Sequence, residues 1–116
     1  CLSGAGKKGR GESVMVSCQL VMCLKYLVEI LNKVGQVNEV EKYEKAGYRL
    51  KNAINKAAFN GRFYNAVYTD NDTWLFSEKD EDGEERVYVP TNAYAVISGV
   101  ASGKENEIAR SVQKIS

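Results

Sequence analysis

Apolar residues crowd the stretch from Val14 to Val34, with Val14, Val16, Leu20, Val21, Leu24, Leu27, Val28 and Leu31 leaving few polar positions between them. Leu20, Leu24, Leu27, Val28 and Leu31 recur at the three- and four-residue spacing of one helical face, so the stretch predicts a helix. Its first half is apolar nearly all round, which predicts burial on more than one side. Ser13 stands where an N-cap or first-turn residue is expected, and Glu12 lies near the positive end of the helix dipole. Gly35 is the residue type that closes a helix in the left-handed conformation. Gln19, Lys25 and Glu29 interrupt the run before it reaches the ~20 apolar residues of a membrane span, so no membrane partner is expected.

A second helix is predicted from about Asn38 to Phe59, with Val40, Tyr43, Gly47, Leu50, Ile54 and Ala57 on one stripe and Glu39, Lys42, Lys45, Arg49 and Lys56 opposite. The linker Gly35-Gln36-Val37 is short, which makes the two helices antiparallel neighbours, one buried and one half-exposed. Then the periodicity changes. Asn60-Gly61 signals a turn, Arg62 to Tyr68 is rich in β-prone residues, Thr73 to Phe76 can extend again, and Arg86 to Val89 can form one more extended piece. Ser77 to Glu85 reads as an acidic, solvated loop. After Pro90, Thr91 is a candidate N-cap for a helix through Val100; Ser102-Gly103 breaks it, and Glu105 to Ile115 forms the last helix, striped by Ile108, Val112 and Ile115. The expected order is two long helices, an irregular β-containing excursion, and two further helices.

Charge and composition narrow the classes. With 116 residues, the chain lies in the range of a single core. A net charge of +1 gives no electrostatic reason to expect nucleic acid as a partner. Cys1, Cys18 and Cys23 have no metal-type spacing and there is no histidine to complete a zinc site, so no metal is expected. Cys18 and Cys23 read as buried small hydrophobes, and an odd count without a disulfide pattern fits a reducing, cytoplasmic compartment. The sequon Asn71-Asp72-Thr73 matters only in a secreted protein. Cys1-Leu2-Ser3-Gly4 is an abrupt start, and the apolar stripe of the last helix runs up to Ser116, which leads us to expect a piece of a larger domain.

Several motifs invite a chemical reading. Gly4-Ala5-Gly6-Lys7-Lys8-Gly9 matches G-x-G-x-x-G, but no strand precedes it and Arg10-Gly11 stands where a phosphate-binding loop needs Lys-Ser/Thr, so a nucleotide site is not expected. Glycines there permit close backbone approach at a helix entrance; the loop can line an anion or sugar site or form plain surface, and the residues leave both open. Asp70-Asn71-Asp72 resembles the start of a calcium loop, but Leu75 occupies the position of the required glycine. Phe63, Tyr64, Tyr68, Trp74 and Tyr94 can stack on sugar rings, although core packing is the commoner role for such residues.

Three segments in register carry a resemblance. Gly9-Arg10-Gly11-Glu12-Ser13-Val14-Met15-Val16 is similar to G-K/R-G-E-S-V-W, Ala58-Phe59-Asn60-Gly61-Arg62-Phe63-Tyr64 to A-W-D-G-x-W-Y, and Tyr94-Ala95-Val96-Ile97-Ser98-Gly99-Val100-Ala101 to W-A-V-L/I-S-G-x-A, all of glycoside hydrolase family 94. These are inverting β-glucoside phosphorylases acting on cellobiose, cellodextrins, laminaribiose and related sugars. The resemblance implies an all-α fold, with residues 1–116 forming part of a single (α/α)6 barrel, the helix from Ser13 being an inner one and the helix from Asn38 an outer one. It implies phosphorolysis: inorganic phosphate attacks the anomeric carbon while an Asp general acid protonates the leaving oxygen. One carboxylate suffices, because phosphate needs no base to activate it.

No further cofactor is implied; a carbohydrate is the expected substrate, and the whole enzyme is expected to be a homodimer. The general acid belongs to a D-W-N-D segment, which the resemblance places just before Cys1, so this chain alone is expected to be inactive. Glu12, Asn92 and Tyr94 are the expected substrate-binding residues, with capping of free N–H groups as the alternative role of Glu12. Asn92-Ala93-Tyr94 replaces the common Gln-Ser-Trp, and Met15 and Phe59 replace common tryptophans, which bears on sugar specificity. The competing class is a helical-repeat interaction module. The two helix pairs share no repeat pattern, and an excursion of roughly thirty residues separates them.

Overall fold

The computed structural model describes residues 11–80 and 82–115. It is mostly helical with one small sheet. The elements in order are β1 (Glu12–Ser13), α1 (Val14–Lys33), a 3-10 turn (Val37–Glu39), α2 (Val40–Ala58), β2 (Val67–Tyr68), β3 (Trp74–Leu75), α3 (Val89–Ile97) and α4 (Glu105–Ile115). The helix pairs are unlike in length, 20 and 19 residues against 9 and 11, so no helical repeat is present among the described residues.

α1 ends as its glycine predicts. Gly35 has φ +79, its N–H donates to Asn32 O at 3.3 Å, and Gln36 N–H donates to Leu31 O at 2.8 Å. These two bonds satisfy carbonyls that the helix end would otherwise leave open. The chain then reverses and α2 packs back along α1, with Gly47 facing Leu24. Of the expected α2 stripe, Ile54 is buried and Leu50 half-buried, but Ala57 faces solvent and Ala58 is buried in its place. Four residues on from Ile54, position 58 returns to the same helical face and position 57 does not.

Burial of α1 is narrower than its composition suggests. Val14, Cys18 and Val21 join the core, one seam at i, i+4 and i+7. Val16 (56 %), Leu20 (50 %) and Ile30 (56 %) remain exposed, and so does Cys23, contrary to the expectation that both helical cysteines are buried. α2 and α3 cover one side of the helix and nothing among the described residues covers the other. By length and composition α1 is apolar enough to cross a membrane, its charges notwithstanding; a core helix meets the same criterion.

Between α2 and α3 the chain makes its β excursion. Asn60 Oδ1 accepts from the N–H groups of Arg62 and Phe63 at 3.0 and 3.1 Å, and Gly61 takes φ +100, which builds the predicted Asn-Gly turn. β2 pairs antiparallel with β3 and also with β1, Glu12 opposite Tyr68 and Ser13 opposite Val67. The β1 pairing joins residues 54 and 56 positions apart in sequence and has no local signature. Arg86–Tyr88 pairs with no strand, although Tyr88 has an extended backbone, and α3 begins at Val89 with Tyr88 as N-cap and Pro90 in its first turn. Thr91 is therefore inside the helix and buried, not its cap. The acidic loop is exposed at 78–79 and 82–84, as expected, and is braced at a few points. Arg86 pairs with Asp80 and Asp82, Arg62 pairs with Glu85, and Asp80 is buried with its carboxylate taking the Ser77 N–H.

The core gathers Val14, Cys18 and Val21 of α1, Ile54 and Ala58 of α2, Tyr64, Ala95 of α3, Val100, Ala101 and Ile108 of α4. Val112 packs against it; the Ile115 side chain of the expected α4 stripe lies outside the described residues. Burial of a large apolar side chain contributes about 1.5–3 kcal/mol.

Candidate functional site

Among the described residues, the three resembling segments meet in the core around Tyr64. The ring is fully buried and tilts against Phe59 with centroids 5.0 Å apart. Its hydroxyl bonds to Asn55 Oδ1 and lies 3.4 Å from Val100 O, while Asn55 Nδ2 donates to the same carbonyl at 3.0 Å. Burial, with Cys18 and Glu105 adding to it, pushes the phenol pKa well above its ordinary value, so the hydroxyl stays protonated and serves as a hydrogen-bond donor. The second segment is thereby fastened to the third.

Asn92 completes the fastening. It is 1 % exposed; its Oδ1 accepts the Tyr64 N–H at 2.8 Å, and its Nδ2 donates to Tyr64 O at 3.3 Å and Tyr88 O at 3.0 Å. The side chain thus acts as a strand would, pairing both backbone groups of one residue. An orphaned N–H here would cost about 1–3 kcal/mol.

The S-G-x-A segment acquires a physical meaning too. Ser98 is buried, its hydroxyl donating to Ala95 O at 3.2 Å and accepting the Val100 N–H at 3.3 Å. Gly99 adopts φ +84, and a side chain on it would come within 2.5 Å of Lys25 Nζ. Lys25 of α1 donates to Ser98 O, placing a cation on the C-terminal carbonyls of α3 where the helix dipole favours it. Ala101 is completely buried beside Cys18, where any larger side chain would overpack the joint. The Cys18 thiol is raised by burial to about 11, against a lowering hydrogen bond with Ser98, so it is a neutral packing group at physiological pH.

The first segment enters through β1. Ser13 is the N-cap of α1 in an extended conformation without a side-chain cap bond; Ala66 O instead accepts the Val14 N–H at 2.9 Å. Asp70, buried between β2 and β3, accepts the Gly11 N–H on Oδ1 at 3.0 Å. The β2–β3 hairpin therefore holds the entrance of α1 from the side. Sequence alone brought Asp70 forward only as the start of a discounted calcium loop; its anchoring role has no local signal, because an acid in a turn reads as solvated until the pairing partner is known.

Of the three residues expected to meet substrate, Glu12 stands exposed on β1, ahead of the helix rather than within its first turn. Tyr94 is half-buried on α3, packed against the core. Asn92 is interior, with its amide engaged as above. Glycines 4, 6 and 9 lie outside the described residues.

These three segments, in this order, meet in one core. The profile of the glycosyl hydrolase 94 superfamily, catalytic domain, matches residues 1–115, and the chain belongs to that family. Among curated relatives it is 30 % identical over 103 residues to 3-O-beta-D-glucopyranosyl-beta-D-glucuronide phosphorylase of Paenibacillus borealis. It is 31 % identical over 107 residues to solabiose phosphorylase of the same organism. Each match takes in 89 % of this chain and 13 % of the relative, so the chain spans about an eighth of the length of the proteins it matches.

Proposed function

We propose that this chain forms one wall of an (α/α)6 barrel in an inverting β-glucoside phosphorylase, with α1 an inner helix and α2 an outer one. The observation that carries the reading is the joint at Tyr64, where hydrogen bonds fasten the second family segment to the third and Val14 of the first packs into the same core. The uncovered apolar stripe of α1 fits an inner helix, since a closed barrel supplies neighbours on both sides of such a helix. Both curated relatives are phosphorylases by name, which supports a sugar 1-phosphate as product.

In the proposed reaction an Asp carboxyl of a D-W-N-D segment gives its proton to the departing glycosidic oxygen. Inorganic phosphate, the co-substrate, attacks the anomeric carbon from the opposite face, turning a β-glucoside into an α-glucosyl phosphate. These 116 residues contain no Asp-Trp-Asn-Asp, so the acid is supplied from outside them. Glu12, exposed at the entrance of α1, and Tyr94 are the side chains we assign to the sugar; Asn92 acts behind them by holding Tyr64. We place the whole enzyme in the cytoplasm as a homodimer.

The test is an assay of the protein expressed from its complete reading frame with inorganic phosphate and β-linked glucose disaccharides. α-Glucose 1-phosphate is the expected product. Free glucose in place of the phosphate ester, or a β-phosphate, would refute the proposal. The 116-residue chain alone is expected to give no turnover.

A further inference from the structure

The backbone at the entrance of α1 is fixed at every residue from Gly11 to Val14 by one distant hairpin. Asp70, buried in the turn between β2 and β3, accepts the Gly11 N–H at 3.0 Å. Glu12 and Ser13 lie in the ladder opposite Tyr68 and Val67, and the Val14 N–H donates to Ala66 O at 2.9 Å. A helix entrance is ordinarily closed by a local side chain, yet Ser13 makes no cap bond, and the hairpin does the holding instead. The turn that carries Asp70 is itself tied. Thr69 N–H donates to Thr73 O at 2.8 Å, the two threonine hydroxyls lie 2.7 Å apart, and Asp72 N–H donates to Thr69 O at 3.1 Å.

Within residues 11–14 only Glu12 is exposed. Opposite residues of a ladder share one sheet face, so Glu12 stands on the face of Tyr68 and Trp74, whose rings meet at 5.2 Å, while Ser13 takes the other face. The fold alone does not call for a charge behind it. Gly11 is only half-buried, where water can serve its N–H, and a carboxylate is costly to bury unless it is hydrogen-bonded. A charge-assisted bond is shorter and stronger than a neutral one, and here it falls one residue before the single exposed side chain of the span. We propose that Asp70 is a positioning residue for Glu12: by fixing the backbone at Gly11 it sets where the Glu12 carboxylate stands toward the sugar. The inference rests on the phosphorylase reading, in which Glu12 meets substrate. Asp70 is interior and acts through Glu12, and a misplacement of about 1 Å in such a group costs up to about a hundredfold in rate.

The experiment is a double-substitution cycle in the protein expressed from its complete reading frame, read as kcat/KM for phosphorolysis of a β-linked glucose disaccharide. Asp70→Ala is expected to lower kcat/KM about tenfold. Asp70→Asn, which keeps an oxygen acceptor for Gly11, is expected to restore it to within about threefold. In a Glu12→Gln background Asp70→Ala is expected to cost less than about twofold, because the carboxylate it places is gone. Amide hydrogen exchange at Gly11 should rise in Asp70→Ala and stay near its original rate in Asp70→Asn. Equal losses from Asp70→Ala with and without the Glu12 carboxylate would show a merely structural role and overturn the proposal. So would an Asn variant no better than Ala, or unchanged exchange at Gly11. Should Asp70→Ala not fold, the cycle is read with Asp70→Asn, whose smaller loss must likewise vanish beside Glu12→Gln. No sugar 1-phosphate from the unsubstituted protein would overturn the phosphorylase reading and this inference with it, whereas phosphorolysis with additive effects overturns the positioning alone.

Discussion

The two ends of α1 are built from similar residues and live in opposite surroundings. Near its N-terminus, Val14, Cys18 and Val21 enter a joint where Tyr64, Asn92, Ser98 and Ala101 leave no buried side-chain polar atom unpaired among the described residues. Towards its C-terminus, Tyr26, Ile30 and Val34 face outward, and a groove of 440 Å³ opens between α1 and α2, lined by Leu24, Val28, Tyr43 and Tyr48 among others. Apolar character alone therefore does not define the core. Where loop segments return to a helix with matching hydrogen-bond partners, the helix is sealed; where none returns, the same kind of residue stays exposed.

The sharpest way to break this contrast is to hollow out the sealed end. Tyr64→Ala is expected to cost about 3–5 kcal/mol, by loss of a large buried ring and the cavity it leaves, and urea denaturation followed by circular dichroism checks it. Tyr64→Phe, which keeps the ring, is expected to cost about 1–2 kcal/mol through the loss of the hydroxyl's bond to Asn55 Oδ1. An effect of Tyr64→Ala no larger than that of Tyr64→Phe would mean that the joint is not packed as described.

Asn92→Ala ranks next, at about 1–3 kcal/mol, because it strands the Tyr64 N–H in the interior. Amide hydrogen exchange at Tyr64 should rise in this variant while exchange in the middle of α1 changes less. On the exposed face of α1, replacing Leu20 and Ile30 together by serine is expected to change stability by no more than about 0.5 kcal/mol each. The same pair should lower any self-association seen by sedimentation, since an exposed apolar stripe of this kind drives contact between copies. A large loss of stability from that double variant would show the stripe to be covered within the chain.

The smallest expected effect is on pH dependence. Cys18 is raised from its ordinary 9.0 to about 11, so the folded state keeps its proton where the unfolded chain loses it. Its stabilising contribution is complete below pH 9 and is lost as pH rises from about 9 to 11; Tyr64, shifted in the same direction, adds to the loss from its ordinary 10.0 upward. Melting temperature measured across this range should fall, and Cys18→Ala should flatten the first part of the fall.

Much of the helical frame was legible in the residues. α1 and α4 fall within a residue of where periodicity and breakers place them, Gly35 ends its helix as glycine does, and Asn60-Gly61 makes its turn. All of these depend on interactions within four or five residues, which a linear pattern records. The family was legible as well, through three motifs in register.

What stayed hidden was everything set by a distant partner. Glu12–Ser13 became a strand because Val67–Tyr68 offers it a ladder, Thr91 was drawn inside α3 because capping passed to Tyr88, and Cys23 stayed outside because no element crosses its side of α1. Asp70 became a buried anchor for Gly11 only once the hairpin had carried it 59 positions back along the chain. By itself, then, the sequence determined the helices, the ends of α1 and α4, and the family, since local sterics and spacing suffice for these. Tertiary structure alone decided which apolar faces are core and which polar groups clamp them, because hydrogen-bond satisfaction in the interior depends on partners that meet only when the chain has folded.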